Sequence, residues 1–270
     1  MTSPFGTEPV EEVPLERAPL ARVIAQVRFP QMGAFTVNDD AANEVVSRLL
    51  TDYPLFNEGR EMTVTISPDG VTQQPGPART WQLQDSEKEW QVTFGREFVA
   101  LHTSAYTSRR DFIRRLADVA THFVEVVQPP FTERVGYRYI NRMSGAEIAD
   151  LPVLVKPEVL GGLAVPTSGF GVTVRHTLSE ALYEFGGELD VSQALHARWG
   201  QLPPQAVLDP TLPPLDEPSW VLDLDSYRLG KGEFSAAAIR DDSFELAERA
   251  YRFFRWAVTD EFLARFGAKA

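Results

Sequence analysis

The sequence contains no cysteine. This absence excludes disulfide bonds, thiolate metal sites, iron–sulfur clusters and cysteine nucleophiles. Apolar runs are also short, and none approaches the roughly 18 residues expected of a membrane-spanning helix. The first residues lack the basic and apolar regions of a signal peptide. We therefore expect a cytoplasmic protein that does not associate with a membrane.

Basic residues are outnumbered by acidic ones. The chain has 26 Lys and Arg against 38 Asp and Glu, which gives a formal net charge of -12. Binding to a phosphate backbone requires a basic surface, so this balance disfavours duplex nucleic acid as a partner. The 43% hydrophobic and 24% charged residues are ordinary for a folded protein, and 270 residues suffice for one large domain or two small ones.

Motifs that carry chemistry are missing as well. The sequence has no Gly-x-Ser-x-Gly elbow and no glycine-rich phosphate-binding loop, and its four histidines do not have the spacing of metal ligands. We therefore predict no catalytic residue, no metal and no cofactor. An enzyme whose site is dispersed along the chain stays open.

Periodicity predicts a mixture of strands and helices. Alternating apolar and polar residues indicate strands at 20–29, 61–67, 79–84, 90–95, 97–103, 133–143, 169–178, 181–188, 193–200 and 220–227. Helical spacing indicates helices at 41–50, 107–127, 156–162 and 242–262. Each half of the chain therefore reads as strand, helix, several strands, helix.

The two halves also share short sequence patterns. Val27-Arg28-Phe29 in the first long strand corresponds to Tyr137-Arg138-Tyr139 in the second. We predict an α+β fold with two similar halves, 17–130 and 131–270, that form one compact unit after a mobile tail at 1–16. The halves share an antiparallel sheet with amphipathic helices on one face, as in saddle-like, TATA-binding-protein-like topologies. This analogy carries no function, and a single irregular α+β domain with a coincidental repeat is the alternative.

Several phrases together resemble a sporadically distributed, uncharacterised family of bacterial proteins of about this length. They are Pro19-Leu20, Val27-Arg28-Phe29-Pro30, Trp90-Gln91-Val92-Thr93-Phe94, Tyr106-Thr107-Ser108 and Arg138-Tyr139-Ile140-Asn141-Arg142. The resemblance covers residues 17–265. It implies a bacterial origin and an accessory, defence-like or toxin–antitoxin-like setting. It implies no activity, substrate or catalytic residue.

Arginines recur on one face of the two long strands. Arg22 and Arg28 on the first, and Arg134, Arg138 and Arg142 on the second, point away from the apolar face, because residues two and four apart share a side. If these strands are neighbours at the centre of the sheet, five arginines converge. A guanidinium cluster suits a carboxylate, a phosphate or the acidic loop of a partner.

We therefore predict a non-enzymatic interaction protein that engages a protein partner or a small anionic ligand through this arginine-bearing face. Three alternatives stay open. The arginines could pair internally with Asp223 and Asp225, as in ordinary cross-strand ion pairs. The protein could be an enzyme that acts on an anionic small molecule held by Arg28, Arg138 and Arg142, or a nucleic-acid-binding saddle. The sequence does not indicate the oligomeric state or the identity of the partner.

Overall fold

Two long strands lie side by side in the middle of a single antiparallel sheet. The computed structural model describes residues 3–6, 10–33, 35, 38–67, 70–167, 169–186 and 191–268, with the main chain alone at 61–67, 70–75 and 77. In these residues the strands are β1 (Leu20–Arg28), β2 (Leu55–Ser67), β3 (Gly70–Gln84), β4 (Trp90–Phe94), β5 (Phe98–Thr103), β6 (Thr132–Ser144), β7 (Ser179–Phe185), β8 (Ser192–Leu202) and β9 (Ser219–Gly232). Their order across the sheet is β2-β3-β4-β5-β1-β6-β9-β8-β7, so β1 and β6 are adjacent.

Two long helices cover one face of this sheet. The helices are α1 (Asp40–Leu49), α2 (Arg109–Val126), α3 (Ala146–Ala149), α4 (Leu151–Leu154), α5 (Ala236–Ala257) and α6 (Asp260–Arg265), with 3-10 turns at Pro157–Val159 and Gly161–Ala164. Ser108 and Ser235 begin α2 and α5, and each hydroxyl accepts a hydrogen bond from the backbone N–H three residues later. The two helices pack against each other.

The core lies between these helices and the sheet. Val23, Ala25 and Val27 alternate along β1, and each is at most 1% exposed. Phe112 of α2 contacts the ring of Tyr137 in β6, with centroids 5.2 Å apart. Fully burying one such side chain stabilises the fold by roughly 1.5–3 kcal/mol. The alternation along the strand therefore determines which face of the sheet packs against the helices. The α+β class is thereby confirmed.

Several predicted elements differ from the structure. The short helix predicted at 156–162 is a pair of 3-10 turns, Pro157–Val159 and Gly161–Ala164. The strand predicted at 181–188 is β7, which ends at Phe185, and residues 187 and 188 lie outside the described residues. Residues 169–178, predicted as a strand, form a turn followed by irregular chain, so that prediction was wrong. The last helix begins at Ala236, six residues before the predicted start, because Ser235 caps a run of alanines that are strong helix formers. It ends at Ala257, since Val258 is extended and bridges to Val155, and α6 follows as a separate helix.

The segment predicted as a mobile tail contacts the body wherever it is described. The backbone N–H of Val13 donates to the Tyr251 hydroxyl at 2.7 Å. Leu15 forms an isolated bridge with Ala268 beyond α6. These contacts place residues 10–16 against α5 and the last turn of the chain; the mobility itself stays a prediction. Within the described ranges, no helix combines the length and apolar character needed to cross a bilayer.

Candidate functional site on the open sheet face

The face of the sheet opposite the helices is partly covered by residues 203–218. Val207 and Leu212 of this proline-rich segment pack on Ile140 of β6. Leu208 packs on Val221 of β9. The segment therefore forms a second apolar layer over β6 and β9 that also reaches Ala21 and Ile24 of β1. Among the described residues, it leaves uncovered the half of the face that β5, β4, β3 and the part of β1 around Gln26 form.

Three of the predicted arginines hold this segment on the sheet. Arg22 donates from Nη2 to the Thr211 carbonyl at 2.6 Å, and Arg142 donates from Nη1 to the Pro213 carbonyl at 2.7 Å. Arg138 donates from Nη1 to Asp209 Oδ2 at 2.6 Å. These side chains thus anchor a part of the protein's own chain.

Arg138 and Arg134 also form ion pairs with the acidic residues of β9. Arg138 contacts both carboxylate oxygens of Asp223, which is 1% exposed and also pairs with Arg198 at 2.6 Å. Burial raises the pKa of Asp223, but the two guanidiniums outweigh it and hold the pKa below its ordinary value. Arg134 pairs with Asp225 at 2.7 Å. The internal pairing that the sequence left open is therefore present at these two arginines.

Arg28 lies apart from the others. Its Nη2 is 3.4 Å from Glu97 Oε2, and both side chains are more than 40% exposed. A pair this exposed contributes little to stability. The structure thus brings Arg22, Arg134 and Arg138 together around one cavity, whereas Arg28 and Arg142 do not line it.

This cavity occupies the uncovered half of the face and has a volume of about 930 Å³. Residues 209–211 form part of its wall next to β1. Its floor consists mainly of polar side chains without charge: Gln26 of β1, His102 of β5, Gln91 and Thr93 of β4, and Gln82 and Gln84 of β3. The register explains why they meet, since Gln91 lies opposite both His102 and Gln84, and Thr93 lies opposite Gln82.

The floor groups are partly bonded to one another. Gln84 donates from Nε2 to Gln91 Oε1 at 2.8 Å, and Gln91 donates from Nε2 to Thr93 Oγ1 at 2.8 Å. Within this row of hydrogen bonds, the Gln84 side-chain oxygen and the Thr93 hydroxyl hydrogen have no partner. The floor therefore offers both acceptors and donors to a ligand.

Arg22 is the partly buried cavity cation whose charge is not neutralised. Among the described residues no carboxylate lies within 4.0 Å of it, whereas Arg134 and Arg138 both have carboxylate partners. Arg60 and Lys88 also line the cavity without an ion pair to a described residue, but both are exposed to solvent. The Nε of Arg22 is buried and has no hydrogen-bond partner among the described residues. Burial lowers the pKa of Arg22, and the Asp209 charge partly opposes this shift. A guanidinium keeps its proton at neutral pH, so a net positive charge lies at the cavity wall.

His102 lies beside Arg22 on the cavity floor. The side chain is 7% exposed, and its Nδ1 has no hydrogen-bond partner. Burial lowers the pKa of His102 to about 4, and the Arg22 charge acts in the same direction. The imidazole is therefore neutral at physiological pH and offers one donor and one acceptor.

Comparison with known proteins gives a plain result. The chain matches no protein-family model and no curated protein sequence. The chemistry of the cavity therefore has to be derived from its own residues.

The sequence pointed to some of these residues and missed others. Histidine, aspartate and glutamate do not gather in groups of three that could hold a metal ion within the described part of the chain. Asp209 and the glutamines were not predicted as site residues. The spacing of Gln82, Gln84 and Gln91 across one hairpin was the available signal, since it places all three on one face.

Proposed function

We propose that this chain is a non-enzymatic binding protein whose cavity on the open sheet face takes a ligand or a protein partner through an anionic group. The observation that carries the proposal is the unneutralised guanidinium of Arg22 in a polar cavity of about 930 Å³. A cation that is partly buried without a carboxylate partner is costly, and an incoming anion offsets that cost. Cavities of this size suit ligands that are larger than a simple ion.

The other predicted arginines support the cavity in this proposal. Arg138 and Arg134 are offset by Asp209, Asp223 and Asp225, and Arg142 binds a backbone carbonyl outside the cavity. We therefore assign recognition to Arg22 and assign to Arg138 and Arg142 the positioning of residues 203–218, which complete the wall. Arg28 takes no part, because it pairs with Glu97 away from the cavity.

An enzyme is a weaker candidate. His102 is the titratable imidazole on the cavity floor, and its pKa of about 4 makes it a poor base at neutral pH. General bases operate best with a pKa near the working pH. The residue therefore fits a role as a neutral hydrogen-bonding group better than a role in proton transfer.

Nucleic-acid binding is also a weaker candidate. Trp81 and Trp90 are at most 6% exposed and pack with Phe94 and Phe112 in the core. Phe98 lines the cavity but is only 7% exposed. Single-stranded nucleic acid is usually held by exposed rings that stack on bases, and this floor is built from amides instead.

We also propose that the two halves descend from one duplicated unit with a saddle-like arrangement. The strand order supports this view, since the strands outward from β1 are β5, β4, β3 and β2, and those outward from β6 are β9, β8 and β7. The same winding order thus recurs on both sides of the central pair. A cytoplasmic location and an accessory or toxin–antitoxin-like setting remain part of this proposal.

Native mass spectrometry tests the binding function. The wild-type protein, Arg22→Gln and Arg28→Gln are each incubated with the small-molecule extract of the host cell. Arg28 is the matched control, because it is an arginine of the same strand as Arg22 yet does not line the cavity. We expect an anionic compound to be retained by the wild type and Arg28→Gln and lost from Arg22→Gln. Equal retention by all three proteins would contradict the assignment to Arg22.

A further inference from the structure

We infer that the cavity accepts the C-terminal end of a polypeptide, with the terminal carboxylate at Arg22 and the preceding peptide groups over the glutamine floor. This inference rests on the proposed binding function and names its ligand class. Three features of the cavity carry it: its charge, its pattern of donors and acceptors, and its length.

The charge matches a single carboxylate. Arg134 and Arg138 already face Asp225 and Asp209, so among the described residues Arg22 is left as the partly buried guanidinium of the lining without a carboxylate partner. Arg60 and Lys88 of the lining also form no ion pair with a described residue, but water solvates both because they are exposed. A phosphate monoester carries about -1.5 to -2 at neutral pH, whereas a carboxylate carries one negative charge. The one partly buried, unneutralised guanidinium complements the carboxylate without leaving excess negative charge next to Asp209. The planar guanidinium also suits a carboxylate sterically.

The hydrogen-bonding pattern matches peptide groups. Each peptide group presents one N–H and one C=O, and a glutamine side chain presents the complementary acceptor and donors. Among the described residues, the side chain of Gln26 makes no hydrogen bond, and that of Gln82 accepts a single long one of 3.5 Å from Asn57. Together with the Gln84 oxygen and the Thr93 hydroxyl, these amides can satisfy a main chain from either side. A sugar or a nucleobase would also find such groups, but it would lack an exposed ring for stacking on this floor.

The dimensions match a short extended segment. Adjacent strands are about 4.8 Å apart, so the path from β1 to β3 across β5 and β4 spans roughly 14 Å. An extended peptide advances about 3.3 Å per residue, and roughly four residues therefore cover this path. Ala100 flanks Gln26 in the neighbouring strand β5, and its small side chain lets a main chain approach the floor there. On the other side of Gln26 the Arg134 guanidinium lies over Gly136 of β6.

Peptide libraries provide the test. Two randomised N-acetyl tetrapeptide mixtures are used, one with free C-terminal carboxylates and one with C-terminal carboxamides, and adenosine monophosphate serves as a dianionic probe. Retained peptides are identified by affinity selection and mass spectrometry, and affinities of individual peptides are measured by calorimetry. The proteins are the wild type, Arg22→Gln, Gln26→Leu and the control Arg28→Gln. Far-ultraviolet circular dichroism and the unfolding temperature establish that each variant is folded.

The inference predicts that the wild type enriches free-carboxylate peptides over carboxamides by at least about tenfold. Arg22→Gln should abolish this preference. Gln26→Leu should weaken binding severalfold but keep the preference for the free carboxylate, and Arg28→Gln should change neither the affinity nor the preference. Equal retention of both mixtures, or retention of adenosine monophosphate in place of peptides, would overturn the peptide assignment. If no peptide binds but the host extract contains an anion whose retention depends on Arg22, the peptide inference is wrong and the proposed binding function is supported. If neither a peptide nor an anion from the extract binds, both proposals are wrong.

Discussion

Arg138 Nε and Nη2 donate to the two carboxylate oxygens of Asp223 at 2.6 and 2.8 Å, across the β6–β9 pair. Asp223 is almost fully buried and also accepts from Arg198. A buried carboxylate and the two guanidiniums that bind it stabilise the fold only together, because removal of one partner leaves a buried charge uncompensated.

Substitution of Asp223 should therefore be strongly destabilising. Asp223→Asn leaves Arg138 and Arg198 facing each other in a site with little access to water, and we expect a loss of about 3–5 kcal/mol in the free energy of unfolding. Urea unfolding followed by circular dichroism measures it. Arg28→Met is the control, since its exposed pair with Glu97 should contribute less than about 1 kcal/mol. Similar losses for the two variants would show that the buried network does not stabilise the fold.

Asp209 should decide whether residues 203–218 stay on the sheet. Its carboxylate accepts from Arg138 and from the backbone N–H and hydroxyl of Thr211. Asp209→Ala removes all three bonds, and we expect proteolytic cleavage within 203–218 to become about tenfold faster as local opening becomes easier. Limited thermolysis with mass spectrometry measures the rate.

Asp216→Ala is the matched control for that experiment. Asp216 belongs to the same segment, but its carboxylate accepts from Gln205 within the segment and forms no ion pair with a described residue of the sheet. Its removal should leave the cleavage rate nearly unchanged. Equal acceleration in both variants would mean that the segment is not anchored through Asp209.

His102 should make stability depend on pH in a defined window. Its folded-state pKa of about 4 lies below the ordinary value of 6.5. The unfolded chain therefore binds a proton that the folded chain does not, and unfolding is favoured as pH falls from 6.5 towards 4. Protonation of His102 lowers the free energy of unfolding by roughly 3 kcal/mol at pH values below its folded-state pKa. Above its ordinary pKa this destabilisation is absent.

The His102→Gln variant isolates this effect. Its free energy of unfolding, measured at several pH values, should fall less steeply than that of the wild type between pH 6.5 and 4. The slopes of the two free-energy curves are compared rather than their absolute values, because the substitution also changes packing at every pH. Parallel curves would mean that His102 titrates alike in the folded and unfolded chains.

The parts of this fold that could be predicted from sequence are those with a local physical cause. Val23, Ala25 and Val27 alternate because one side of β1 is buried, and this alternation placed both the strand and its arginines correctly. The strand predicted at 169–178 failed although Phe170, Val172 and Val174 alternate with polar or small residues. Gly169 and Gly171 adopt positive φ angles that interrupt an extended chain, and Phe170 and Val172 stay exposed, so no buried face fixes a strand there.

The site was less predictable, because its chemistry depends on a distant segment. The side of the sheet on which Arg22 and Arg138 lie follows from their spacing along β1 and β6. The different environments of Arg22 and Arg138 do not follow from this spacing. Asp209 belongs to a proline-rich connection that has no periodicity and reaches the sheet only through tertiary packing. The pairing of Arg138 and the unneutralised charge of Arg22 are therefore properties of the folded chain.

A substitution at Gly136 should disturb the ion pair between Arg134 and Asp225. A Cβ atom at Gly136 would lie 2.3 Å from Arg134 Nη1, so Gly136→Ala must displace this guanidinium from Asp225. The end of a flexible side chain moves easily, and we expect a loss of only about 1 kcal/mol in unfolding free energy. At Gly200 the same atom would lie 2.0 Å from the Thr177 carbonyl oxygen, at a φ of +155°, and the backbone must shift instead. Gly200→Ala should therefore lose about 3 kcal/mol or more in urea unfolding. If Gly136→Ala were the more damaging of the two, the Arg134 side chain would have to be a rigid part of the sheet.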